Sequence, residues 1–431
     1  MTIAINQPLT TDALRVDGSR LWASLMDLAR VGATPKGGNC RLALTDEDRQ
    51  GRDLVAGWLR DTGLDIRVDR LGNIFARRPG RNNDLPPVVT GSHIDTQPTG
   101  GRFDGNYGVL AGLEVMRVLN EQSITTEAPM EVVIWTNEEG SRFVPVMMGS
   151  GAFAGMFTPE AALAARDHDG ISVADELTRI GYAGDMPVGG RTLGAYFEAH
   201  IEQGPVLEKE QLQVGVVTGS LGLSWFDVVV TGQEAHAGPT PMEYRRDALQ
   251  TACALVSDIL TLAEPHAPHG RVTCGEFRVF PNSRNVIPGR VNFSVDLRHL
   301  EPAVLTAMEQ RLRELCELCD TQGNNAGIEV ELLEVQRIPP TPFAPKLVER
   351  VRACAEALAI PHRDMVTGAG HDAVYISRVA PTAMIFVPCV DGISHNECED
   401  AKPEDLEAGA NILLHAMLQT AEPIHPTDQA Q

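Results

Sequence analysis

Four apolar runs in this chain each lead to a histidine or a pair of acids. Pro87–Gly91 runs into Ser92-His93, with Asp95 two residues on. Met130–Trp135 leads into Thr136-Asn137-Glu138-Glu139. Ala195–Ala199 ends at His200, and Thr382–Val387 precedes a loop that carries His395. Short apolar, β-branched runs of this kind predict buried strands. Open α/β sheets gather ligands at the carboxyl ends of their strands, so four independent segments predict one sheet with one chemical edge. Helical periodicity over Ser19–Val31, Thr45–Thr62 and Gly105–Asn120 supplies the flanking layers. Thr45 is a good N-cap with Asp48 three positions on, and Gly63 stops the helix. Asp65–Arg70 and Asn73–Arg77 alternate as a hairpin around Leu71-Gly72, while the polar stretch up to about Leu14 is expected to be loose.

The residues at these strand ends define a chemistry. Glu138 and Glu139 are adjacent like charges, and a site that holds both near one point contains a cation or a shared proton. With His93, Asp104, His200 and His395 they make the ligand set of a two-metal hydrolytic centre. Each residue also has a plainer reading. His93 suits a packed strand end, Asp104 caps the helix that follows it, and Glu138-Glu139 suits a solvated loop. Asp95 faces the same way as His93 in an extended segment and can orient its imidazole. One of the two glutamates can hold a metal while the other takes a proton from water. Gln203 offers a donor and an acceptor suited to a urea or amide group.

From about Leu221 to Val335 the rhythm changes. Strand Leu223–Thr231, helix Asp247–Ala263, strands Arg271–Phe280 and Arg290–Arg298, helix Glu301–Thr321 and strand Ile328–Val335 give the order β-α-β-β-α-β, the ferredoxin-like arrangement. The expected division is 1–218 and 336–431 for a discontinuous catalytic domain, with 219–335 inserted. A sheet covered on one face needs its other face or edge covered too, which a two-fold dimer provides. Within the insert, His236, Asn285 and Arg298 read singly as a turn histidine, a turn asparagine and a surface arginine. Gly368-Ala369-Gly370 lets backbone come close to a ligand, and His371 beside it is a candidate substrate contact. Met148-Gly149-Ser150-Gly151 shapes a pocket or makes a turn.

The ordered set Gly-Ser-His-Ile-Asp (91–95), Phe-Asp-Gly (103–105), Asn-Glu-Glu-Gly (137–140), His-Ile-Glu-Gln-Gly-Pro (200–205) and Ser-His-Asn-Glu (394–397) resembles the dinuclear zinc amidohydrolases: N-carbamoyl-amino-acid hydrolases, β-ureidopropionases and allantoate amidohydrolases. The likeness runs from about Ser19 to Leu418. It implies a metallopeptidase-like α/β catalytic domain with a mixed sheet flanked by helices, plus an inserted ferredoxin-like dimerisation and lid domain. It implies His93, Asp104, Glu139, His200 and His395 as ligands of two divalent ions, with Asp104 bridging, and Glu138 as general base. Zinc is the expected metal, with manganese, cobalt or nickel as alternatives. The resemblance further implies that His236 and Asn285 stabilise an oxyanion, His236 in the partner subunit's site, and that Arg298 grips the substrate carboxylate, a task its planar fork suits. The expected partners are a ureido acid substrate and a second copy of the chain. Thr96–Gly101 and Ser141-Arg142-Phe143 look closer to the carbamoylase and β-ureidopropionase members. Allantoate hydrolysis is the near alternative; an aminoacylase or peptidase, or a non-catalytic metal-binding metabolite sensor, is farther off.

Thirty-six basic against fifty-eight acidic residues leave a net charge of −22, which argues against nucleic acid or an anionic membrane as partner. The eight cysteines are scattered. Cys316 and Cys319 share a helix and lack a second pair for a zinc site, so they read as packing residues. A reducing cytoplasm is expected; the first thirty residues show no signal-peptide pattern, and no apolar run is long enough to span a bilayer.

Overall fold

Strands buried on both faces are mainly apolar, and the central strands here are so apart from a few buried polar positions such as Glu131, Glu198 and His200. The structure, a computed structural model, describes residues 14–321 and 327–422; the polar stretch before Leu14 lies outside them. Two compact units emerge. One comprises the chain up to Thr218, Phe343–Met365 and the chain from Ala369 onward; the other comprises Gly219–Pro342 and Val366–Gly368.

In the first unit the sheet order is Asp65–Val68, Ile74–Arg78, Met130–Trp135, Val88–His93, Ala195–Ile201, Thr382–Val387, Val214–Ser220. The strands Met130–Trp135, Val88–His93, Ala195–Ile201 and Thr382–Val387 are mutually parallel and wholly buried. Parallel neighbours end on the same edge. His93 therefore stands opposite Trp135, three residues before Glu138, and His200 stands opposite Phe386. The strand carrying His200 runs to Ile201, past the expected end at Ala199, because its parallel partner extends the ladder to Val387. His200 thus lies within the strand, where the sheet holds its backbone. Helix Asn106–Glu121 lies against the strand Val88–His93 and, like Pro403–Ala421, is buried almost throughout.

The second unit has the sheet order Phe277–Phe280, Arg290–His299, Gly222–Thr231, Glu329–Ile338, all antiparallel, with helices Ala248–Leu260 and Pro302–Thr321. The β-α-β-β-α-β order is present, with differences of detail. The expected strand over 271–280 is two pieces, Arg271–Thr273 and Phe277–Phe280, each pairing with Arg290–His299. The first helix stops at Leu260 and tightens into a 3-10 segment, Thr261–His266, that contains Pro265, a residue with no N–H for helical bonding. The last strand runs to Ile338, paired with Leu223, beyond the 335 expected. Cys316 packs in this unit's core, with Cys319 against it, and both are free thiols.

A buried ion pair ties the second helix to the loops of the sheet edge. Thr45 caps Asp46–Asp61 by accepting the Asp48 N–H. Asp48 and Arg52 sit one turn apart, both fully buried, with Arg52 Nε 2.8 Å from Asp48 Oδ2. Arg52 also donates to Gly72 O at 2.7 Å and to Thr136 Oγ1 at 3.3 Å, immediately before Asn137-Glu138. Removing one partner leaves the other charge buried and uncompensated. Asp48→Ala is expected to destabilise the fold by about 3–5 kcal/mol, read as a lowered urea midpoint, whereas an unchanged midpoint refutes this role.

Candidate metal centre

The backbone sets the tautomer of both strand-end histidines. His93 Nδ1 lies 2.9 Å from the Asp95 carbonyl oxygen, and His200 Nδ1 lies 3.0 Å from Ile201 O. A carbonyl only accepts, so each Nδ1 carries the hydrogen and each Nε2 is left to face inward. The Asp95 carboxylate, expected to orient His93, stands 3.9 Å from that ring, and the carbonyl of the same residue takes its place. Both Nε2 atoms point at one oxygen: Asp104 Oδ1 is 3.5 Å from His93 and 3.2 Å from His200. The other oxygen, Oδ2, is 3.3 Å from His395 Nε2, which is itself 3.3 Å from Glu139 Oε2. Two donor groups result, His93–Asp104–His200 and Asp104–Glu139–His395, with ligand atoms in each all within 4.8 Å of one another. Asp104 belongs to both.

Glycine makes this approach possible. Gly105 has φ of +65°, and a Cβ there would lie 2.4 Å from the His93 ring. Asn137, Gln203 and His395 also take left-handed backbone, with φ of 54°, 55° and 53°. Non-glycine residues rarely adopt this conformation, and such strain collects at functional sites.

Burial drives the electrostatics. It pushes the Glu138 carboxyl well above the usual range, His93 opposing and Asp372 and Glu139 adding to the rise. Burial and the neighbouring Asp104 lift Glu139 to about 7, against the pull of His93. Asp104 goes the other way: burial would raise it, but hydrogen bonds from His200, His395 and His93 hold it well below the carboxylate range. The Asp104 carboxylate raises His395 to about 9 against burial, with Glu139 contributing. His371 is pushed well below the ordinary imidazole value by burial and by His200, and is neutral.

His93, Asp104, Glu138, Glu139, His200, Gln203, His371 and His395 line one cleft of about 160 Å³, together with Gln97, Val146, Met147, Ala369 and Gly370. No lysine or arginine is among these lining residues. Imidazole and carboxylate donors crowded at such spacing suit a divalent cation. Two polar atoms on the walls, Gln203 Oε1 and His371 Nε2, are buried with no hydrogen-bond partner among the described residues. His236, Asn285 and Arg298 belong to the other unit. There His236 pairs with Val286 and the Ala237 N–H donates to Asn285 O, so the two exposed residues are neighbours. Arg298 is engaged twice over, by the Asp296 carboxylate at 2.7 Å and by Gly368 O at 2.6 Å.

Some contributors escaped the sequence reading. Gln97 donates its backbone N–H and its side-chain amide to the Glu139 carboxylate at 3.1 and 2.7 Å. Glu198 accepts from Ser92 Oγ at 2.6 Å and from the Ala373 N–H at 2.8 Å, behind the histidines. Both sit two residues from a recognised position, Asp95 and His200, and the two-residue period of extended chain is the signal that finds them.

Comparison with known proteins follows this geometry. Residues 89–419 match the peptidase family M20/M25/M40, and the chain belongs to that family. It is 48% identical to an N-carbamoyl-L-amino-acid amidohydrolase from Rhizobium meliloti, over 95% of this chain and 97% of the relative. It is 36% identical to an allantoate amidohydrolase from Bacillus subtilis, over 91% and 95%. A crystal structure of an amidase of the hydantoinase/carbamoylase family from Burkholderia multivorans superposes with a TM-score of 0.92 at 58% identity, covering 96% of this chain and all of that one.

The raised imidazoles set the pH dependence of metal uptake. A ligand must shed its proton to bind a cation. His395, raised to about 9, is largely protonated at neutral pH in the metal-free protein, so protons compete with the cation below that value. Zinc binding at pH 7 is expected to release protons, with affinity rising as pH rises towards 9. Calorimetry in buffers of different ionisation enthalpy measures the release; a buffer-independent heat refutes it.

Proposed function

We propose that the protein hydrolyses the ureido C–N bond of N-carbamoyl amino acids, using two divalent ions per subunit, zinc being the metal its nitrogen and oxygen donors suit best. One water is consumed, and the amino acid, ammonia and carbon dioxide are formed. What supports this reading most is the division of the acids. Asp104 and Glu139 fall within the donor groups while Glu138 falls in neither, yet its Oε2 is 3.6 Å from the His93 ring. Bound divalent ions supply Lewis-acid polarisation and make water a stronger acid. Glu138 takes the proton of the attacking water and returns it to the departing nitrogen; a carboxyl whose proton affinity is raised by burial suits both transfers. Gln203 Oε1 and His371 Nε2, both unpaired at the cleft, meet the N–H donors and carbonyl of a ureido group. The similarity to the Rhizobium meliloti enzyme supports the substrate class.

The reading extends to the second unit. His236 and Asn285 stabilise the oxyanion, His236 acting in the partner subunit's site, and Arg298 holds the substrate carboxylate. Arg298 already bonds Asp296 through Nε and Nη2, so a substrate carboxylate would meet its remaining N–H groups or compete with Asp296. The dimer forms through the second unit. Glu329–Ile338 stands at the end of the strand order there, and Trp225, Leu333 and Val335 are exposed on or beside it, an apolar patch next to an open strand edge that a second copy would cover.

Allantoate is the second reading, favoured by the Bacillus subtilis relative. Ammonia release decides between them, measured on N-carbamoyl-L- and D-amino acids, N-carbamoyl-β-alanine, allantoate and acyl-amino acids with added zinc or manganese. The expected preference is for a carbamoyl amino acid. Glu138→Gln is expected to lower kcat by about 10²–10⁴-fold with metal content unchanged. Full activity in that variant, or no ammonia from any ureido acid, overturns the proposal.

A further inference from the structure

Two buried carboxylates lie beside the metal centre and belong to neither donor group. The first is Asp95. Its Oδ1 accepts the Glu138 N–H and its Oδ2 accepts the Glu139 N–H, each at 3.2 Å. The second is Glu399. Its Oε1 accepts the Phe103 N–H at 2.9 Å and the Asp104 N–H at 3.1 Å. Its Oε2 takes the Ser394 hydroxyl at 2.8 Å, and that hydroxyl is 3.0 Å from Asp104 Oδ2. Both carboxylates are 1% exposed. Gly101 makes room for Glu399, since a Cβ there would come within 2.0 Å of its carboxylate. The Glu399 N–H bonds to Asn396 O and closes the loop that carries His395.

We infer that Asp95 and Glu399 are positioning residues, each gripping two consecutive backbone amides and so fixing the spacing of the metal donors. This inference rests on the reading under Proposed function. Glu138, Glu139, Asp104 and His395 all stand on loops beyond strand ends, where no ladder holds the backbone. A charged carboxylate with two amide donors is a strong, directional tie. Asp95 ties the proton acceptor to a ligand. Glu399 joins the Asp104 turn to the His395 loop, 295 residues apart between Glu399 and Asp104, and thereby sets the distance across the second donor group. Loss of such supporting contacts costs roughly 10- to 100-fold in metal affinity or activity.

The two ties differ in a way that tests the idea. Asp95 uses one oxygen per amide, so Asp95→Asn places an NH₂ against a backbone N–H and breaks one contact. Glu399 uses a single oxygen for both amides. Glu399→Gln keeps that oxygen and offers an N–H to Ser394 Oγ, so it restores what Glu399→Ala removes. Zinc release to a chromogenic chelator is followed alongside kcat and KM. Asp95→Asn and Glu399→Ala are expected to speed zinc release and lower kcat, each by roughly 10- to 100-fold, with KM within about threefold. Glu399→Gln is expected to stay within about threefold of wild type in both. Wild-type release and kcat in Asp95→Asn and Glu399→Ala overturn the inference, as does a Glu399→Gln protein as impaired as Glu399→Ala. If Glu399→Ala does not fold, the contrast between Asp95→Asn and Glu399→Gln decides alone. A wild-type protein that holds zinc but turns over no ureido compound rejects the proposed function, and the zinc-release contrast still judges this inference.

Discussion

Three imidazoles converge on one carboxylate, and the architecture of the first unit serves that convergence. Asp104 offers one oxygen to His93 and His200 and the other to His395. Parallel pairing of Val88–His93 with Ala195–Ile201 brings the first two histidines to the same edge. The crossing from Asp104 into helix Asn106–Glu121 brings the carboxylate to them, and Gly105 leaves the space that the His93 ring occupies. Without a cation this cluster holds itself together by charge, which is why Asp104 is driven down and His395 up. With one, the same atoms are already aimed. The cleft gathers donors at close spacing, with Asp104 and Glu139 in the candidate donor groups and Glu138 outside both.

Much of this was legible in the residues. Met130–Trp135 and Thr382–Val387 have the bounds their apolar, β-branched runs predict, because a strand buried on both faces is mainly apolar and its run stops where the strand does. The helix beginning after Thr45 starts where its capping side chain does. Less regular chain was harder to read. The length of Ala195–Ile201 depends on a partner strand about 190 residues later, which no local pattern reveals. The break between Arg271–Thr273 and Phe277–Phe280 leaves both pieces on one partner strand, so their composition alone reads as continuous.

The eight cleft residues named from the sequence do come together, since ligand chemistry selects residue types and strand ends select places. Support is where such reading fails. That Asp95 faces its own residue's neighbours differently, carbonyl to His93 and carboxylate to the Glu138 and Glu139 amides, is decided by loop dihedrals. Glu399 looks like one more acid in an acidic chain, and only the fold shows it reaching the Asp104 turn. Sequence spacing finds the side chains that line the cleft more readily than those that bond to their backbone.

Chain order gives the two donor groups different histories. His93, Asp104 and His200 all precede the inserted unit, whereas His395 and Glu399 follow it, as does Thr382–Val387, the strand that lies between Ala195–Ile201 and Val214–Ser220. As the polypeptide leaves the ribosome, the first trio is complete more than 180 residues before the last imidazole arrives. The His93–Asp104–His200 group is thus encoded wholly ahead of the inserted unit, whereas the group with His395 is complete only once Thr382–Val387 has taken its place in the middle of the sheet.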